Sequence, residues 1–83
     1  MNILHRPGLF LIRLDRGVYA YLKYRLNRKI MYIESTYTPG QFRGKGLAAK
    51  LMEEAISYAK NQGLEIVPLC SYAKHYLNKL SKK

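Results

Sequence analysis

Gln41-Phe42-Arg43-Gly44-Lys45-Gly46-Leu47-Ala48 separates two segments of opposite periodicity. Before it, Val18, Ala20, Leu22, Tyr24 and Leu26 recur at every second position, the period of a strand with one buried face. After it, Leu47, Ala48, Leu51, Met52, Ala55, Ile56 and Ala59 recur at helical spacing, with Lys50, Glu53, Glu54, Lys60 and Asn61 opposite. The stretch therefore carries the chain from a sheet into an amphipathic helix. Upstream, residues 9–15, 18–26 and 30–36 read as strands, joined at Arg16-Gly17 and Asn27-Arg28-Lys29 into a meander. His5, Arg6, Pro7 and Gly8 interrupt the start, and His5 carries no evident role. Downstream, Gly63 stops the helix and residues 64–69 form a short strand, parallel to the third through a right-handed crossover. Ser71 is placed to cap a last helix with an apolar stripe of Tyr72, Ala73, Tyr76, Leu77 and Leu80. The order is β-β-β-α-β-α, an α/β fold: a three-stranded antiparallel meander followed by α-β-α on a mixed sheet.

The chain has 83 residues and a formal charge of +10, from 15 Lys and Arg against 5 Asp and Glu. That length predicts a single domain over 1–83. Cys70 is the single cysteine, which excludes an internal disulfide. With His5 and His75 it leaves too few ligands for a zinc module, so no metal is expected. Lone-cysteine usage fits a reducing, cytoplasmic compartment. The apolar run Leu9-Phe10-Leu11-Ile12 is far too short to cross a bilayer or form a signal-peptide core, and no membrane partner is expected. The charge, which includes a basic tail at Lys79, Lys82 and Lys83, suits an anionic partner. Nucleic acid, acidic membrane and a phosphorylated small molecule all qualify, and so does a merely solubilising surface.

The loop narrows that choice. Gly44 and Gly46 remove side chains that would keep a ligand from the backbone. The first amides of a helix lack intrahelical partners and, with the helix dipole, favour an anion. Arg43 and Lys45 add formal charge beside them, so a phosphate or pyrophosphate is the natural occupant. A Walker A loop would need Gly-Lys-Ser/Thr after four residues, but Gly46 is followed by Leu47 and Ala48. A dinucleotide loop would need a third glycine. The competing reading is a helix start whose glycines only permit a tight turn.

In one register Arg43-x-x-Gly46-x-Ala48, and in another Gln41-x-x-Gly44-x-Gly46, the loop resembles the acetyl-CoA signature of the GNAT superfamily of N-acetyltransferases. The register from Arg43 places Leu47 and Ala48 in the first helical turn. The resemblance is closer to the short, single-domain YjdJ-like branch, whose pattern corresponds here to Ser35-Thr36, Phe42-Arg43-Gly44-Lys45-Gly46 and Pro68-Leu69-Cys70-Ser71-Tyr72. It spans residues 20–80. It implies a minimal GNAT-like fold in which the parallel pair of strands splays apart at one end. It implies a pantetheine arm paired with backbone at Thr36, Tyr37 and Thr38. The pyrophosphate would rest on amides of Arg43, Gly44, Lys45, Gly46, Leu47 and Ala48. The acyl group would lie near Cys70, Ser71 and Tyr72. Two departures stand out. The branch's His is Ser35 here, and the chain has no room for the extra N-terminal helices of longer members, so its acceptor side is open or completed by a partner.

Acetyl transfer needs a neutral amine, a polarised thioester and a proton for the leaving thiolate. Glu34 is a candidate base, or a solvated carboxylate. The resemblance implies a tyrosine acid in the last helix, for which Tyr76 is the nearest candidate; Tyr72 is the other, and packing against the sheet is the competing role. Cys70, between a strand and a helix N-terminus, is a candidate acyl acceptor or a small buried hydrophobe. His75 reads as a surface residue, with a CoA phosphate contact as the alternative. Three functions compete: an acetyl-CoA-dependent N-acetyltransferase acting on an unidentified amine, a CoA-binding module with little catalysis, and a nucleic-acid-binding protein. The last would use Tyr19 and Tyr21 alternating with Lys23 and Arg25.

Overall fold

Strict alternation in the first half becomes a ladder of neighbouring strands. The computed structural model describes residues 2–81, so Lys82 and Lys83 of the basic tail lie outside the described residues. Its elements are β1 (Ile3–Arg6), β2 (Leu9–Asp15), β3 (Val18–Asn27), β4 (Ile30–Tyr37), a 3-10 turn (Gly40–Phe42), α1 (Leu47–Gln62), β5 (Glu65–Pro68) and α2 (Ser71–Ser81). The strands lie in the sheet in chain order, antiparallel from β1 to β4 and parallel between β4 and β5. Phe10, Ile12, Ala20, Leu22, Tyr24, Met31 and Ile33 point to one face. Leu47, Leu51, Met52, Ala55 and Ala59 of α1 and Ala73 of α2 join them in one buried cluster. Both helices therefore cover the same side of the sheet. Among the described residues, no helix is long and apolar enough to cross a membrane.

The expected meander is present and gains a strand at its edge. Pro7 and Gly8 form the turn between β1 and β2, with Gly8 at φ +77°. The Gly8 carbonyl accepts from Tyr24 N–H at 2.9 Å, and a Cβ there would meet Tyr24 O at 3.1 Å, so glycine serves both the turn and the close approach. His5, which the sequence left without a role, belongs to this edge. Its ring stacks on Phe10 at 4.1 Å between centroids and meets Tyr58 edge-on at 4.6 Å. Its Nε2 shares a hydrogen bond with the Tyr24 hydroxyl. Burial holds that hydroxyl above the ordinary tyrosine range, which keeps it protonated.

The site is set by how β4 ends. Lys23 pairs with Ser35 but Tyr24 with Ile33, so Glu34 is the extra residue of a β-bulge. On its other edge β4 pairs with β5 only from Ile30 to Ile33. The Ile33 carbonyl then takes two donors, Leu69 N–H at 2.8 Å and Cys70 N–H at 3.3 Å. Beyond that point β4 runs on to Tyr37 while the chain after β5 turns into α2, and the parallel pair opens. One sequence expectation changes here. Ser71 is the first residue of α2 rather than its cap, and Cys70 takes the capping position: its Sγ accepts from Ala73 N–H at 3.4 Å and its carbonyl from Lys74 N–H at 3.1 Å.

Candidate active site

The loop is shaped by its own backbone before any ligand is considered. Phe42 N–H donates to the Pro39 carbonyl at 2.9 Å, closing the 3-10 turn. The Arg43 side chain then folds back, its Nε donating to the Thr38 carbonyl at 3.1 Å. Gly44 and Gly46 stand at φ +82° and +75°, a region that costs residues with a Cβ roughly 1–2 kcal/mol. No heavy atom lies within 4 Å of a Cβ built at either one, so the backbone there faces open space. Gly46 caps α1 through its carbonyl, which accepts from Lys50 N–H at 3.1 Å.

The α1 terminus lacks the usual neutralising groups. No side chain caps it and no carboxylate stands in its first turn. Its free amides and the positive end of the dipole are left for an outside anion. Arg43 and Lys45 are exposed beside it. These features suit a phosphate or pyrophosphate.

A cavity of about 480 Å³ adjoins this terminus. It is lined by Thr36, Tyr37 and Thr38 from the end of β4, by Phe42, Arg43, Gly44 and Gly46 from the loop, by Leu47, Ala48 and Ala49 from α1, and by Tyr72 from α2. The structure thus brings together most of the residues expected to bind the cofactor. Lys45 and Ser71 are exposed and are not among its lining. Phe42 and Ala49 line it without having been singled out. Phe42 stood inside the quoted motif, and Ala49 is invisible without the helix geometry.

Residues 9–82 match the family model described as GCN5-related N-acetyl-transferase. The chain belongs to that family. A solution structure of a GCN5-like protein from Staphylococcus aureus, described as a candidate N-acetyltransferase, is similar at 28% sequence identity and a TM-score of 0.79. The match covers 96% of this chain and 80% of that one. The GCN5-related resemblance seen in the loop is therefore shared by the fold.

The three residues considered for chemistry separate in space. Cys70 is half-buried at the fork where β5 leaves β4. Glu34 turns its carboxylate to Arg25, whose Nε donates at 3.1 Å. Arg25 belongs to the alternating set that points away from the helices, so Glu34 faces that side too. Tyr76 lies toward α1, beside Glu53, Ile56, Ser57 and Lys60, whereas Tyr72 lines the cavity. The two tyrosine rings are 6.1 Å apart. Burial raises both hydroxyls above the ordinary tyrosine range, reinforced by Tyr76 at Tyr72 and by Glu53 at Tyr76. His75 is exposed on α2.

Proposed function

We propose that this protein transfers an acetyl group from acetyl-CoA to an amine. The observation that carries the reading is the continuity of one cavity from the α1 terminus, which no side chain caps, to the end of β4 beyond its pairing with β5. Amides from Gly44 to Ala48 would hold the pyrophosphate, with Arg43 and Lys45 adding charge. Backbone at Thr36, Tyr37 and Thr38 would pair with the pantetheine amides. Acetyl-CoA supplies an activated acyl group as a thioester. The high positive charge of the chain favours an amine that carries, or is flanked by, negative charge.

Tyr72 acts as a hydrogen-bond donor to the leaving sulfur rather than as a proton source. A thiol titrates at about 8.5. Burial holds the Tyr72 hydroxyl above the ordinary tyrosine range, which favours its keeping the proton while it donates to the sulfur. Cys70 serves as acyl carrier. Its thiolate attacks the acetyl carbonyl, a new S–C bond forms, and the C–S bond to CoA breaks. CoA leaves as the thiol, taking a proton equivalent to the one Cys70 lost. The amine nitrogen then attacks the acetyl-cysteine carbonyl, a C–N bond forms as the S–C bond to Cys70 breaks, and the proton given up by the nitrogen restores the Cys70 thiol. Each step exchanges bonds without any redox change.

Titration with CoA, followed at the backbone amides, tests the ligand. Perturbation should concentrate at residues 36–38 and 43–48. Changes confined to other parts of the chain would remove the reading. Intact-mass measurement after mixing with acetyl-CoA tests the carrier. Wild type should gain one acetyl group and Cys70→Ala none, with turnover lost. Tyr72→Phe should slow turnover about tenfold and leave CoA affinity unchanged. A Cys70→Ala protein that turns over at the wild-type rate would eliminate the covalent route and leave direct attack by the amine.

A further inference from the structure

The sheet has a second face, which neither helix covers. Cross-strand partners share a side, so the pairings map it row by row. One row is Leu4, Leu11, Tyr21 and Tyr37. On one side of it lie Arg13 and Tyr19; on the other lie Arg6, Leu9, Lys23 and Ser35, followed by Arg25 and Tyr32. Successive rows are about 6.7 Å apart along the strands. Tyr19 and Tyr37 are 39% and 45% exposed, and Leu4 is 40% exposed, so this is an open aromatic and apolar stripe. The Tyr21 and Tyr37 rings are 5.5 Å apart. Arg6, Arg13, Lys23 and Arg25 are all exposed around it. Among the described residues, the one ion pair on this face is Arg25 with Glu34.

We propose that this face binds single-stranded nucleic acid. Four cations set against one paired carboxylate call for an anion. A second copy docking through the same face would set those cations against their own counterparts, which opposes self-association. The tyrosines decide among anions. Tyr19, Tyr21 and Tyr37, interleaved with Arg13, Lys23 and Arg6, offer stacking surfaces for bases and charges for phosphates, the combination that open sheets use on unpaired strands. Bases inside a duplex are already stacked and cannot reach the rings. An acidic peptide would satisfy the cations and leave the tyrosines unused. Tyr37 borders both regions, but the proposal does not depend on the CoA reading, because the α1 loop and its cations take no part in it.

Fluorescence anisotropy with a labelled oligouridylate of about 12 nucleotides tests it. Tyr19→Ala and Tyr21→Ala should each weaken binding about tenfold, and Tyr21→Phe should restore it, since the ring alone stacks. Lys23→Gln should lower the slope of log affinity against log salt by about 0.7. Lys45→Gln, in the loop, should leave the affinity unchanged. Thermal unfolding of each variant verifies folding; if Tyr21→Ala fails there, the exposed Tyr19 and Lys23 positions still give the answer. Any of four results overturns the proposal. They are tyrosine variants that bind as wild type, a duplex or a polyglutamate of equal charge that binds as tightly, greater loss at Lys45 than at Lys23, or a stable dimer formed through this face.

Discussion

Gly44→Asp is expected to abolish measurable CoA binding, while Gly44→Asn weakens it only modestly. The two side chains are nearly the same size. Both tolerate the positive φ of +82° better than other residues with a Cβ. Neither meets a neighbour, because the Gly44 Cβ direction is open. The pair therefore differs chiefly by one negative charge placed where phosphates would sit. At about 4 Å and an effective dielectric near 20, two unit charges interact by about 4 kcal/mol. Solvent exposure of the loop reduces this, and about 2 kcal/mol, or a roughly 30-fold gap in affinity, is the expected minimum. Isothermal titration of both variants measures it. Equal affinities for Asp and Asn would mean that the phosphates rest elsewhere. Folding should be little affected, since Gly44 and its neighbours Arg43 and Lys45 are all exposed.

Leu51→Ala should come close to unfolding the protein. Leu51 is 0% exposed, at the centre of the α1 stripe that meets the sheet. Truncating a buried leucine costs about 2–5 kcal/mol, the upper part when surrounding atoms cannot collapse into the space. The neighbours here are Met52, Ala55 and the sheet side chains of the same cluster, held by a ladder that cannot shift toward the helix. A domain of this size has about 5–10 kcal/mol in total, and each kcal/mol moves its melting temperature by about 4–8 °C. A fall of at least about 15 °C is expected, read by circular dichroism. Glu54→Ala, on the exposed side of the same helix, should change stability by less than about 0.5 kcal/mol. A Leu51→Ala protein that melts within a few degrees of wild type would contradict the packing described.

The sequence made the periodic parts legible. The alternation of residues 18–26 and the helical spacing from Leu47 to Ala59 each place one face in the core, and both segments form the elements read, except that Leu26, read on the buried face, lies at the strand end and is 48% exposed. The proposed phosphate seat was readable for a local reason, because loop, glycines and helix start are contiguous. What escaped was fixed by long-range contact. β1 is only four residues, with three of them exposed, so it has no internal pattern. Its mark in the sequence was the Pro7-Gly8 turn, and its anchor is His5 against Phe10, Tyr24 and Tyr58, distant in the chain. Glu34 could not be assigned a side by counting in twos, because the bulge at that residue resets the count. The choice between Tyr72 and Tyr76 depended on which of them turns toward the cavity and which toward α1, a matter of the packing angle of α2.

The bond from Arg43 to the Thr38 carbonyl has one more consequence. It ties the loop into a closed ring before any ligand arrives. A long cationic side chain left loose would have to give up its rotational freedom at the moment of association, a loss of about 0.5–1.5 kcal/mol. Here that freedom is surrendered when the chain folds. In this respect the proposed anion seat is preorganised, so that encounter with an anion would be a matter of arrival rather than of rearrangement.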